Sequence, residues 1–182
     1  FSLLFRFGAG SRFTDAFSFS TPAAQFGIGL DFRNIIPIGD HFGFGLRSDI
    51  TVDFLPKGGA WNLADNLQYF NALNYAEASS IDLKITADVI SGPVDFYLGG
   101  GVGYSLANPA DNTDNAYFNS IHTLADVNIG TVFSSAWFAS GVLGIRFYCG
   151  DIFSLGAEVH YRYYMPSGEH YGSADLVLGF TF

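Results

Sequence analysis

The sequence predicts an all-β fold: an eight-stranded antiparallel up-and-down transmembrane barrel, a single domain over residues 1–182, with long loops at one end and short turns at the other. Three observations carry this expectation. The chain of 182 residues is 49% apolar and 18% aromatic, yet no stretch of about 18 consecutive apolar residues occurs, so its apolarity is spread out rather than gathered into a membrane helix. Twenty Phe, ten Tyr and twenty-two Gly against a single Met favour strands and tight turns over helices. Most informative is the period. Runs of roughly ten residues alternate between apolar and polar or small side chains, and turn residues separate them, as in membrane barrels.

The first run, Ser2 to Phe13, sets Leu3, Phe5, Phe7, Ala9 and Phe13 against Arg6, Gly8, Gly10 and Arg12, with Leu4 and Ser11 out of phase. From Ala24 to Arg33 the alternation is complete: Ala24, Phe26, Ile28, Leu30 and Phe32 oppose Gln25, Gly27, Gly29, Asp31 and Arg33. The third run, Phe42 to Phe54, carries Arg47, Asp49, Thr51 and Asp53 on its polar face, and only Ser48 interrupts the apolar one. In the fourth, Ser79 to Val89, Ile81, Leu83, Ile85, Ala87 and Val89 oppose Ser80, Asp82, Lys84, Thr86 and Asp88. Ser91-Gly92-Pro93 turns tightly into a fifth run in which Val94, Phe96, Leu98, Val102, Tyr104 and Leu106 face away from Asp95, Tyr97, Gly99, Gly101, Gly103 and Ser105. Trp137 to Tyr148 is the sixth. Cys149-Gly150-Asp151 leads into the seventh, where Glu158, His160 and Arg162 share a face, and the chain ends on Ala174, Leu176, Leu178, Phe180 and Phe182 against Asp175, Val177, Gly179 and Thr181.

Eight strands make the connections consistent, because long loops and short turns must alternate if the strands run up and down. Long connections fall at 14–23, 55–78, 107–136 and 165–173, and short ones at 34–41, 90–93 and 149–151. Residues Ile121 to Phe133 also alternate in part. Counting them as a strand would give nine and break the order, so they are assigned to the third long loop, as a short helix or an extension of the sixth strand. In the second loop Leu63, Leu67, Phe70 and Leu73 have helical spacing, which predicts a short amphipathic helix over the barrel mouth, as a cap or a docking surface.

Alternation alone also fits a soluble sandwich or a lipocalin-like barrel. Charge placement and aromatic content decide between them. Seven of the eight basic residues, all but Lys57, sit on the polar face of a strand beside acids, and Lys and Glu are too few for an ordinary soluble surface. The surplus of Phe and Tyr near strand ends matches the aromatic girdles of a membrane barrel. The polar face then points inward, where eight strands leave a lumen just wide enough for side chains to fill. That predicts a lumen charge network of Arg6, Arg33, Arg47, Asp49, Asp53, Asp82, Lys84, Asp88, Asp95, Arg146, Glu158, His160, Arg162 and Asp175, paired because a lone buried charge is costly. A narrow charge-lined passage is the alternative.

A net charge of −9 argues against nucleic acid as a partner, since phosphate binding needs a basic surface. The single Cys149 forms no internal disulfide and no zinc spacing. No charged segment followed by an apolar one opens the chain at Phe1, and we read it as exported by a signal peptide already cleaved.

The segments Phe96-Tyr97-Leu98-Gly99-Gly100-Gly101-Val102-Gly103-Tyr104, Gly141 to Phe147 and Leu155 to Tyr163 resemble the last half of the small bacterial outer-membrane barrels of the OmpA/OmpX/OmpW-like class. The resemblance covers roughly residues 94–106 and 137–182. It implies the bacterial outer membrane as location and the lipid bilayer as surroundings. It also implies that Phe180 and Phe182, in the ending Leu178-Gly179-Phe180-Thr181-Phe182, belong to the signal read by the barrel-insertion machinery. Loops vary freely in this class, so activity does not follow from it.

Enzyme chemistry finds little support. His160 lies two residues from Glu158 and from Arg162 on one face, which suits a polar network better than a general base. Ser120 and His122 have no carboxylate assigned to orient them, and His41 and His170 read as connection residues. Asp111 and Asp114 lack the Gly and distant Glu of a calcium loop. The sequence therefore predicts no cofactor, no metal and no catalysis. Three readings are left: a structural or interaction barrel whose extracellular loops meet a protein partner, a small pore or carrier for polar or hydrophobic solutes, and a surface enzyme acting on lipid.

Overall fold

The structure is a computed structural model that describes residues 1–13, 23–56, 75–107, 136–165 and 168–182. Eight strands form: β1 (Ser2–Phe13), β2 (Ala23–Ile38), β3 (Phe42–Pro56), β4 (Tyr75–Ser91), β5 (Val94–Ala107), β6 (Ala136–Cys149), β7 (Phe153–Tyr164) and β8 (Glu169–Thr181). Each pairs antiparallel with its neighbours in chain order. β1 closes on β8 with Ser2 opposite Thr181 and Phe13 opposite His170, so the sheet has no free side edge along that seam. The expected fold class and strand count both hold.

The two faces separate by chemistry. In β7 every second residue from Ser154 to Tyr164 is buried and those between are exposed or nearly so. Across the barrel the exposed set is apolar, as with Ile85 (64% exposed), Leu98 (61%) and Leu176 (64%), while Arg47, Asp95 and Arg146 are at 0%. An apolar exterior around a charged interior is the reverse of a soluble protein, and only a lipid surround makes it favourable. Aromatic rings gather at both ends of this wall. Phe1 touches Phe32 and Phe182 near the termini, and Tyr104 meets Trp137 edge-on at the loop end.

The structure corrects several boundaries. Strands run beyond the sequence-based limits, to Pro56 in β3 and from Tyr75 in β4, because alternation fades above the lipid band while the ladder continues. The connection expected at 34–41 shrinks to the turn at 39–41, and Gly39 takes the positive φ of 74° that this turn needs. The long loop expected over 165–173 is absent. β8 begins at Glu169, and polar His170, Tyr171 and Ser173 are strand residues paired with Tyr163, Arg162 and His160. Leu4, out of phase in sequence, points inward and is fully buried. The assignments to 121–133, to 63–74 and to Ser120 and His122 lie outside the described residues.

One irregularity bears on the site. Between the pairs Phe32–Leu46 and Ile36–Phe44, three residues of β2 oppose only Gly45 of β3. Asn34 in this bulge has φ of 51°, a conformation that Asn tolerates. The bulge breaks the alternation after Phe32, leaving Ile35 and Ile36 exposed, while the Arg33 side chain reaches into the base of the lumen.

Candidate functional site: the charged lumen

The lumen is built by every strand, because the inward residue of each repeats at period two and the eight-stranded circumference brings them within reach of one another. Glycines give the long side chains room. A Cβ on Gly27 would lie 2.6 Å from Arg6 Nη2, and one on Gly144 would meet the Tyr97 ring. The side chains fall into three levels.

At mid-height Arg47 from β3 spans the barrel to Glu158 on β7. Nη1 donates to Oε1 at 2.6 Å and Nη2 to Oε2 at 2.8 Å, a fork-to-fork geometry among the stronger of ion pairs. Its Nε lies 2.9 Å from Asp49 Oδ2. Lys84 Nζ donates to the same Asp49 oxygen at 2.8 Å and to Asp82 at 2.5 Å. Tyr97 donates its hydroxyl hydrogen to Glu158. Arg6 donates to Thr51 Oγ1 at 2.6 Å and reaches Asp175 at 3.4 Å. His160 Nε2 stands 2.7 Å from Glu158 Oε2 and 2.9 Å from Arg6 Nη1. With its proton on Nε2 the imidazole donates to the carboxylate, and Nδ1, 3.4 Å from Arg6 Nη1, accepts from the guanidinium.

Toward the termini, Arg146 donates to Asp31 at 2.8 Å and lies over the Tyr97 ring. Arg33 donates to Asp95 at 3.0 Å and to Ser2 Oγ at 3.2 Å, with its guanidinium over Tyr148. Toward the loops, Arg162 donates to Asp53 at 3.0 Å from between the rings of Phe138 and Tyr171. Asp53 also accepts from Tyr171 at 2.9 Å and from Gln25 at 2.5 Å, and Ser173 donates on to Gln25.

All fourteen residues expected in the lumen lie there. Thirteen are buried, and only the Arg33 side chain, 15% exposed, is accessible in part. Asp88 stands apart: Thr86 donates to it at 3.2 Å, and no cation lies within ion-pair distance of it among the described residues. Sequence reasoning gave no role to Tyr97, Thr51, Gln25, Tyr171 or Ser173. Their inward phase was the available signal. Phe180 and Phe182 are on the outer wall, 37% and 74% exposed, with Phe182 stacked on Phe1.

Glu158, His160 and Asp175 bring one ligand atom each within 4.8 Å of the others, a set that resembles a metal site. Arg6 already fills that position, with Nη1 within 3.4 Å of both His160 and Asp175. The cation held there is a guanidinium, and a metal ion would have to displace it.

No protein-family model and no curated protein matches the chain. Solved structures do. The chain is similar to Neisserial surface protein A (NspA) at 12% identity and a TM-score of 0.59, over 100% of this chain and 96% of that one. Ail, the attachment invasion locus protein of Yersinia pestis, aligns at 10% identity and a TM-score of 0.57, covering 100% and 97%. The outer membrane enzyme PagL aligns at 12% identity and a TM-score of 0.55 over the whole of both chains. At such identities the likeness concerns the fold, and the chain has the fold of the small eight-stranded outer-membrane β-barrels.

Proposed function

We propose that the protein is an integral barrel of the bacterial outer membrane whose lumen is closed and whose role is structural or lies in meeting another protein through its loops. The observation that carries this reading is the pairing of the lumen cations: Arg6, Arg33, Arg47, Lys84, Arg146 and Arg162 each lie within 3.5 Å of a carboxylate. Oppositely charged side chains that meet across a narrow interior occupy the path a solute would take, and separating them in so poorly solvated a space is costly. Catalysis is not part of this reading. His160, the histidine best placed by its neighbours, is committed to buried ion partners rather than to a substrate-facing surface.

On this reading the chain reaches the membrane by a cleaved signal peptide, and Phe180 and Phe182 present its last strand to the insertion machinery. The long loops then lie outside the cell, and the turns with both termini lie in the periplasm. Cys149, exposed beside the turn to β7, reports that orientation. An impermeant maleimide should leave it unlabelled in intact cells and label it once the outer membrane is ruptured. Labelling in intact cells would invert the topology.

Conductance tests the closed lumen. Purified protein in a planar bilayer should pass little steady current, whereas a stable open channel would replace this reading with that of a small pore.

A further inference from the structure

The lumen is not sealed in the same way along its length. At mid-height and toward the loops Arg6, Arg47, Lys84 and Arg162 are buried to within a few per cent, as is Arg146 toward the termini. At the periplasmic end Arg33, 15% exposed, stacks on Tyr148 at 4.6 Å, and neither side chain is fully buried. Around this pair lies a set of groups with hydrogen-bonding capacity to spare. Ser154, opposite Tyr148 in the β6–β7 ladder, is fully buried, and its Oγ makes no hydrogen bond with any described residue; neither do Oδ1 of Asp95 and Oδ1 of Asp31.

The backbone that carries Arg33 differs from that of the other lumen cations. It belongs to the bulge in which three residues face the single Gly45, so it can shift without unpairing the β2–β3 ladder on either side. The grip on the guanidinium is also looser than that on Arg47. Arg33 has two hydrogen bonds, to Asp95 and Ser2, and its Nε lies 3.5 Å from Asp31 without bonding it.

We propose that Arg33 and Tyr148 form a side-chain lid on the periplasmic mouth, which opens by movement of the Arg33–Ile35 bulge and admits small cations to the floor of the lumen. The sign of the admitted species follows from the charges left behind. With Arg33 swung out, Asp31, Asp88 and Asp95 face Arg146 alone, and a cleft of one charge sign concentrates ions of the other. This lid rests on the closed-lumen reading, because it is an opening at one end of an interior otherwise filled by ion pairs.

Thiol accessibility tests it without requiring that ions cross the whole barrel. Ser154→Cys in a Cys149→Ser background places one near-isosteric thiol under the lid, and small cationic and anionic thiosulfonates of similar size are the probes. With Arg33 present the thiol should react slowly. Arg33→Ala should raise the rate with the cationic reagent about tenfold or more, and with the anionic one much less. Arg33→Lys should restore part of the protection, while Leu143→Ala on the lipid-facing side of β6 should leave the rate unchanged. Tyr148→Ala removes the lid from its other side and serves if Arg33→Ala does not fold, as judged by the heat-dependent gel mobility of barrels.

Fast labelling with Arg33 and Tyr148 intact, or equal rates in a folded Arg33→Ala barrel, would overturn the lid. So would a faster reaction with the anionic reagent. A wild-type protein that conducts steadily would instead overturn the closed lumen itself, and the two failures are separate readings.

Discussion

Replacing Arg47 with Ala should lower the unfolding free energy of the barrel by about 3–5 kcal/mol, the range for breaking a buried ion pair by removing one partner. Arg47 is fully buried and holds both oxygens of Glu158 as well as Asp49. The loss falls mainly on Glu158. Asp49 keeps Lys84 at 2.8 Å, but Glu158 is left with the Tyr97 hydroxyl, the His160 ring and an Arg146 nitrogen at 3.9 Å. A carboxylate so placed is short of compensating charge, and the cost is that of the uncompensated anion rather than of the lost attraction. Urea titration of the protein folded into vesicles, followed by the fluorescence of its two tryptophans, measures the change.

The second large effect is on the outer wall. Leu83 is half exposed on β4, between Ser48 of β3 and Val102 of β5, near the middle of the apolar band. Leu83→Arg should destabilise the barrel in lipid by about 2–4 kcal/mol, because a cation at mid-bilayer has no water and no partner. Ile152→Arg is the control. Ile152 is as apolar and more exposed, at 64%, yet it lies in the turn before β7, where about 0–1 kcal/mol is expected. Equal effects at the two sites in the same urea assay would contradict the assignment of the outer wall to lipid.

Much of this architecture is legible in the sequence because a membrane barrel imposes one simple rule over its whole height: alternate residues meet lipid or lumen. Wherever that rule acts, the reading is sound. The run Ala24 to Phe32 and all of β7 show it without exception. Where lipid ends the rule ends too, and so the polar start of β8, with His170 and Tyr171, passed for loop although its backbone pairs with β1 and β7. The bulge at Arg33–Ile35 was also hidden. Asn-Ile-Ile-Pro does not alternate, and only the tolerance of Asn for positive φ hinted at a break.

The lumen shows the same division. Neighbours two residues apart on one strand, such as Arg47 with Asp49 or Lys84 with Asp82, can be read from spacing. Partners across the barrel cannot. Arg47 and Glu158 are 111 residues apart, and what unites them is the stagger of eight tilted strands, a property of closure that no single strand encodes. Tyr97 and Asp31 were visible as inward residues, but that one serves Glu158 and the other Arg146 follows from the same closure.

Whether the interior is a coupled ion network is tested most directly by a double-mutant cycle on Arg47 and Glu158. If the pair is coupled, Arg47→Ala combined with Glu158→Ala should be less damaging than the two single changes added together, with an interaction energy of about 1–3 kcal/mol. The second removal takes away the carboxylate that the first left stranded. Additive losses within about 0.5 kcal/mol would mean that the two side chains do not depend on each other, and would contradict a lumen held closed by its charges.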